Sequence, residues 1–177
     1  QMKETLNAES ARIEVRFPYF IEKKAPISRA AGLMDYQCGF IATSQMDKSV
    51  DIVMEVSVPI TSVCPCSKEI SEYGAHNQRG QVLLRIRFDG LIWLEEMISL
   101  VEKCASSELY SILKRMDEKE VTERGYDNPK FVEDIVRDIA VELEKIEKVT
   151  WYELSVENFE SIHNHSAYAY INSNSTA

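Results

Sequence analysis

Ile13, Val15, Phe17 and Tyr19 alternate with Arg12, Glu14 and Arg16, the period-two pattern of a strand with one covered face. Pro18 has no N–H to give a neighbouring strand, which predicts an edge position. After a turn carrying Lys23, Lys24 and Pro26, a second run places Met34, Tyr36, Cys38 and Phe40 on one face, and the two runs are expected to pair as a hairpin. Ile52, Met54, Val56 and Val58 oppose Asp51, Glu55 and Ser57, while Val82, Leu84, Ile86 and Phe88 oppose Gln81, Arg85 and Arg87. Two further strands of a one-sided sheet are predicted there. Between them, Thr61 to Arg79 has no period and is rich in Cys, Ser, Gly, His and Asn. It reads as a long loop, the kind of segment that carries function.

Past Asp89-Gly90 the spacing changes. Leu94, Met97, Ile98, Val101, Cys104, Ile112 and Leu113 recur at helical intervals and predict one amphipathic helix from Trp93 to Arg115. Asn128 as N-cap and Pro129 at the first helical position predict a second helix to about Lys148, with the stripe Val132, Ile135, Val136, Ile139, Leu143 and Ile146. Tyr152, Leu154 and Val156 then alternate with Glu153, Ser155 and Glu157. Tyr168 and Tyr170 close a last extended run before a polar tail from Asn172 to Ala177. From Val50 the predicted order is strand, strand, helix, helix, strand, strand. That is an α+β arrangement, an antiparallel sheet with two helices on one face.

Composition narrows the function classes. The chain has 177 residues, 45% hydrophobic and 28% charged, with a net charge of -9 that argues against general attraction to nucleic acid. No apolar run reaches the roughly 20 residues of a bilayer span, and the first residues lack a signal-peptide core. A cytoplasmic protein without a membrane partner is expected. In that setting Cys38, Cys64, Cys66 and Cys104 read as thiols rather than disulfides.

The chain has three histidines, His76, His163 and His165. His163 and His165 are expected in extended backbone, where alternation projects both rings to one face. Thiol and imidazole suit zinc, ferrous iron and similar ions, and a carboxylate commonly completes a catalytic set. By spacing alone, Cys64, Cys66 and His76 are a weak metal signal and read first as an incidental thiol pair beside a hydrogen-bonding loop histidine. Glu118 lies in a charge run just beyond the first predicted helix, where a solvated face is the ordinary outcome. Glu133 falls at the start of the second helix, at the margin of its apolar stripe, where a carboxylate is ordinarily favoured by the dipole alone. With no Gly-rich phosphate loop, Lys23, Lys24, Lys68 and Arg79 are the basic candidates for an anionic substrate, unranked by the sequence.

Val58 to Ser71 (VPITSVCPCSKEIS), continued by Tyr73 to Arg79 (YGAHNQR), closely resembles the signature of the type IB GTP cyclohydrolases. The resemblance extends to Phe17–Ile21, to Tyr126–Asp134 and to Glu157–His165, and so covers almost the whole chain. It implies the tunnelling fold, with residues 1–49 as a hairpin from a partial N-terminal half and 50–177 as the catalytic module. It implies conversion of GTP to 7,8-dihydroneopterin triphosphate and formate at the head of folate or pterin synthesis, with zinc, manganese or iron as the metal. Position by position, it implies Cys64, His76 and Glu118 as metal ligands and Glu133 as the carboxylate on the guanine edge. Cys64, His163, His165 and Glu160 are implied at the catalytic centre, with Lys68 and Arg79 towards the substrate, and Cys66 is left without a role. A homo-oligomer, a tetramer, with active sites at subunit interfaces follows from the same likeness. In two respects the pattern departs: relatives are longer, so an N-terminal strand region is expected to be missing, and Gly80 follows Arg79 where relatives carry Ser. A cyclic-phosphate product, an NADPH-dependent nitrile reductase of the same fold, and a non-catalytic module binding metal and guanine nucleotide remain the alternatives.

Overall fold

The structure is a computed structural model that describes residues 2–45 and 49–173; the last four residues of the polar tail lie outside that range. A short helix α1 (Met2–Leu6) precedes strands β1 (Ala11–Lys24), β2 (Ala31–Ser44) and β3 (Val50–Val63). Then follow α2 (Pro65–Ile70), β4 (Asn77–Phe88), α3 (Leu94–Cys104), α4 (Arg115–Asp127), α5 (Val132–Glu144), β5 (Val149–Phe159) and β6 (Ser166–Asn172). Each strand pairs antiparallel with its neighbour in sequence, so the sheet is a six-stranded meander in the order β1-β2-β3-β4-β5-β6.

The alternation read from the sequence decides which face is covered. Tyr36, Met54, Val56, Val58, Ile60, Val82, Leu84, Ile86, Leu154 and Val156 are buried on one face, beneath Met97, Ile98 and Val101 of α3 and Ile135, Ile139 and Leu143 of α5. Burying each such side chain is worth roughly 1.5–3 kcal/mol, which fixes the strand register because a one-residue slip would invert the pattern. Pro18 lies on β1, an edge strand as predicted, opposite Gln37. Cys38 lies with the core residues, and burial pushes its thiol up to about 11.

The opposite face carries a row of charges running across the strands. Arg16 and Arg85 both donate to Glu55, at 2.9 and 2.7 Å, and Arg85 also reaches Glu153 at 2.7 Å. Gly39 stands between Arg16 and Glu55 in the register. A Cβ there would approach the Val15 carbonyl oxygen to 2.8 Å and crowd the Arg16 stem at 3.2 Å, so a bare backbone lets the guanidinium cross the strand. Burial opposes the charged form of Glu55, but hydrogen bonds from the two guanidiniums outweigh it and hold the carboxyl below its usual range.

The helical layer departs from the sequence reading in three places. The helix expected over Trp93–Arg115 ends at Cys104, because the chain turns back to make a bridge between Ser107 and Thr61, with N–H donors at 3.1 and 3.3 Å in each direction. A further helix, α4, then forms, so three helices rather than two separate β4 from β5. Asn128 is the C-cap of α4 and not the start of α5: its side-chain amide donates to the Ala105 carbonyl at 2.9 Å. α5 begins three residues beyond Pro129, where Asp134 accepts the Phe131 N–H at 3.0 Å, and it ends at Glu144, short of Lys148.

Asp117, in the first turn of α4, is fully buried and ties this layer to the β1–β2 turn. One carboxylate oxygen accepts the N–H groups of Ile27 and Ser28 at 2.9 and 2.8 Å; the other accepts the Ser28 hydroxyl at 2.6 Å and the Lys114 N–H at 2.9 Å. Lys23, a candidate for binding an anionic substrate, is instead spent nearby, paired with Glu102 at 2.8 Å and Glu108 at 2.7 Å.

Candidate functional site

Cys64 and His76 are brought together by a ladder, although the chain runs through α2 between them. The β3–β4 pairing ends at Val63 and Asn77, and one further bond, Cys64 N–H to the His76 carbonyl at 3.1 Å, extends it. The expected long loop is therefore a compact excursion with its own helix. Pro65 starts α2 at its first position, and Ser67 staples the excursion shut. The Ser67 hydroxyl donates to the Cys64 carbonyl at 3.1 Å and accepts the His76 N–H at 3.1 Å.

Behind this pair lies a buried polar cluster that sequence reasoning missed. Ser62, fully buried, donates to the Lys130 carbonyl at 3.0 Å and accepts from Gln78 Nε2 at 3.2 Å and from Asn158 Nδ2 at 2.9 Å. Gln78 Oε1 lies 3.0 Å from Nδ1 of His76, and the Ser161 hydroxyl lies 3.3 Å from the same nitrogen. The available signal was alternation: Gln78 and Gly80 share the inward side of β4, and an inward Gln in a buried strand demands polar partners.

These elements border a cleft of about 260 Å³ lined by Cys64, His76, Glu133, Glu160, His163 and His165, with Gln78, Lys130 and Asn158 among the remaining wall residues. Glu133 projects from the first turn of α5. Glu160, His163 and His165 come from the link between β5 and β6, which is a run of bends and not the extended strand expected. The two rings nevertheless face the same way, stacked with centroids 5.1 Å apart and planes 21° from parallel.

Three of the expected site residues stand elsewhere. Glu118 is exposed in the first turn of α4 and does not line the cleft. Lys68 turns its ammonium to the carbonyl and ring face of Tyr126, near the other end of α4. Arg79 is exposed on β4, on the opposite side of the strand from Gln78. Lys130 lines the cleft, but its ammonium is held by Asp138 at 2.6 Å and the Cys104 carbonyl at 2.9 Å. Cys66 is exposed and outside the cleft. Among the described residues, no three His, Cys, Asp or Glu side chains are grouped closely enough to hold a metal ion.

Gly80 is fixed by its neighbour. A Cβ there would sit 2.4 Å from Asn158 Oδ1, itself a buried acceptor without a partner among the described residues, and 3.1 Å from the Glu157 carbonyl oxygen. Gly80→Ala is expected to cost about 1–3 kcal/mol of stability. Chemical denaturation checks this, and an unchanged midpoint would show that Asn158 turns aside freely.

A six-stranded antiparallel meander backed by helices, with one thiol, three imidazoles and two carboxylates lining a single cleft, is an α+β architecture with a polar cleft. The chain belongs to the type I GTP cyclohydrolase folE2 family, whose profile matches residues 1–169. It is 64% identical over 171 residues to GTP cyclohydrolase FolE2 of Desulfosudis oleivorans, covering 97% of this chain and 66% of that protein. The protein of the same name from Syntrophobacter fumaroxidans is 58% identical over 170 residues, covering 96% and 66%. The Nitrosococcus oceani protein is 58% identical over 171 residues, covering 97% and 64%. The chain thus spans just under two thirds of these relatives' length. Among solved structures, uricase from Arthrobacter globiformis superposes with a TM-score of 0.51 over 97% of this chain and 66% of that one, at 10% identity, a likeness of fold alone. No helix among the described residues is long and apolar enough to cross a membrane.

Proposed function

We propose that this chain carries the catalytic part of a GTP cyclohydrolase that converts GTP and water to 7,8-dihydroneopterin triphosphate and formate, the first step of folate and pterin synthesis. The observation that carries the reading is the cleft itself: Cys64, His76, Glu133, Glu160, His163 and His165 converge there from separate segments. Incubation of the assembled protein with GTP and a divalent metal, followed by formate assay and chromatography of the pterin, tests it. Formate without pterin triphosphate would favour a cyclic phosphate product, and NADPH consumption with a nitrile would favour the reductase reading.

Each side chain has a task in that reaction. Glu133 accepts the N1–H and 2-amino hydrogens of guanine, so a base lacking those donors leaves a carboxylate unpaired. Glu133→Ala is expected to weaken GTP affinity by roughly 10²-fold, the scale of losing hydrogen bonds to a charged group. Isothermal titration with GTP measures this, and an unchanged affinity would refute the assignment. His163 and His165 deliver protons to the imidazole nitrogens as the ring opens at C8, a contribution of roughly 10²–10⁴-fold. Glu160 lies beside them on the same bend and is suited to orient them.

The thiol of Cys64 and the imidazole of His76 suit zinc or a ferrous ion, and manganese enters only through the family resemblance. Such an ion supplies water polarised into a nucleophile at neutral pH. Glu118, the third ligand that the resemblance implies, does not line this cleft. Tyr126, which holds Lys68 beside Cys64, lies eight residues beyond Glu118, about 12 Å along α4 at 1.5 Å per residue. Glu118 is therefore assigned to the cleft of a neighbouring copy. The cleft's size supports a shared site, since at about 260 Å³ it falls below the roughly 300 Å³ at which small-molecule pockets begin, and among the described residues its one lysine, Lys130, is held by Asp138. The 14-residue edge strand β1 also leaves Ile13, Val15 and Phe20 about half exposed, surface that assembly into a homo-oligomer, here a tetramer, would cover. Mixed assemblies of Cys64→Ala and Glu118→Ala chains should regain part of the activity that each lacks alone. No recovery would place both ligands in one chain.

A further inference from the structure

We infer that the buried Ser62–Gln78 pair fixes the proton of His76 on Nδ1, making both positioning residues that leave Nε2 as a bare donor atom. One partner in the cluster has no choice of role. The Lys130 carbonyl is an acceptor only, and the Ser62 hydroxyl, with a single hydrogen, lies 3.0 Å from it. That hydrogen is therefore committed. The amides of Gln78 and Asn158, at 3.2 and 2.9 Å from the same Ser62 oxygen, can then meet it only as donors. Gln78 must turn its NH₂ group inward, which turns its carbonyl oxygen outward to His76 Nδ1 at 3.0 Å. An oxygen acceptor there requires a hydrogen on Nδ1.

The orientation cannot easily reverse. Ser62, Gln78 and Asn158 are 0%, 6% and 2% exposed, and a flipped Gln78 amide would set its oxygen against the Ser62 oxygen, whose hydrogen is already given to the Lys130 carbonyl. The anchoring carbonyl is itself held, because the Lys130 N–H donates to the Val63 carbonyl at 3.0 Å. Ser161, 3.3 Å from Nδ1, offers a second acceptor from the β5–β6 bends. Proton placement in the cleft is thus set three residues deep, at the end of β3. A neutral imidazole in water prefers its proton on Nε2, so the inferred form is the opposite of the default.

The placement of the proton rests on geometry alone; its use, presenting Nε2 to a metal, rests on the function proposed above. Two-bond ¹H–¹⁵N correlation spectra of the metal-free protein at about pH 8 report the tautomer directly. His76→Gln identifies the His76 signal among the three histidines. The expected pattern is a protonated Nδ1 in the wild type, retained in Gln78→Glu, which keeps an oxygen facing the ring. Gln78→Leu should shift it to the Nε2-protonated form, and Ser62→Ala should give a mixture. A wild-type signal protonated on Nε2, or an unchanged tautomer in Gln78→Leu, overturns the inference, and the wild-type reading does not need the Gln78 or Ser62 variants to fold. Competition with a chelating dye should show zinc affinity falling roughly 10–100-fold in Gln78→Leu and largely kept in Gln78→Glu. If the tautomer shifts as expected and zinc affinity does not, the proton assignment stands and the metal assignment of His76 fails.

Discussion

On the proposed function, Cys64→Ala is expected to abolish formate release from GTP and to weaken metal binding, with a loss of activity well beyond the roughly 10–100-fold typical of residues that merely support a ligand. No neighbour can take the place of the lost sulfur. Cys66, the nearest thiol in sequence, is exposed and outside the cleft, and α2 starts between the two, at Pro65. The substitution should also leave the fold intact. The position is held by backbone bonds, its N–H to the His76 carbonyl and its own carbonyl to the Ser67 hydroxyl and the Lys68 N–H, all at 3.1 Å. Metal content by mass spectrometry, formate release and the thermal midpoint form the decisive set. Near-normal formate release with metal retained would sink Cys64 as a ligand, while a collapsed midpoint would make it a structural residue.

The largest effect on stability is expected at Asp117. All four of its hydrogen bonds are donated to a carboxylate with no exposed surface, so Asp117→Ala strands two N–H groups of the β1–β2 turn, a hydroxyl and a helix-start N–H. Asp117→Asn fares little better. Its oxygen can serve one pair of donors, but its NH₂ must face the other pair. Either substitution should lower the thermal midpoint by roughly 5–10 °C at neutral pH. The pH dependence has a definite sign. Burial works against the ionised form, but the hydrogen bonds from Ser28, Lys114 and Ile27 outweigh it, so the carboxyl titrates below its usual range. Its contribution is then complete above the unfolded value of about 3.9 and fades as the pH falls below it towards the depressed folded value. Midpoints of wild type and Asp117→Asn should converge in acid. A gap that is constant with pH would show that charge plays no part.

The strands were legible because their faces differ. Tyr36 and Cys38, Val56 and Val58, Leu84 and Ile86, Leu154 and Val156 sit on the buried side that alternation assigned them. α4 was illegible for the complementary reason. Its sequence, RMDEKEVTERGYD, buries only Asp117 and Gly125, and neither is apolar enough to mark a stripe. Ile112 and Leu113 continued the spacing of α3 by coincidence, and only the long-range bridge from Ser107 to Thr61 shows where that helix stops. At the site, Cys64, His76, Glu133, Glu160, His163 and His165 were all named from the sequence and share one cleft. Ser62, Gln78 and Asn158 were not, because buried amides and hydroxyls have no spacing of their own. Their meaning lies in which partner is an acceptor only, and that requires coordinates.

The Asp117 carboxylate has a second consequence, through the residue beside it in the chain. Asp117 grips the turn between β1 and β2, and the next residue on the same helical turn is Glu118, assigned above to a neighbouring copy's cleft. On that assignment, the aim of the Glu118 carboxylate is set by the β1–β2 hairpin bend that Asp117 grips. If the proposed shared site holds, loosening Ser28 should blur the cleft of the adjacent molecule, so that a fault in one protomer is read out as lost turnover in another.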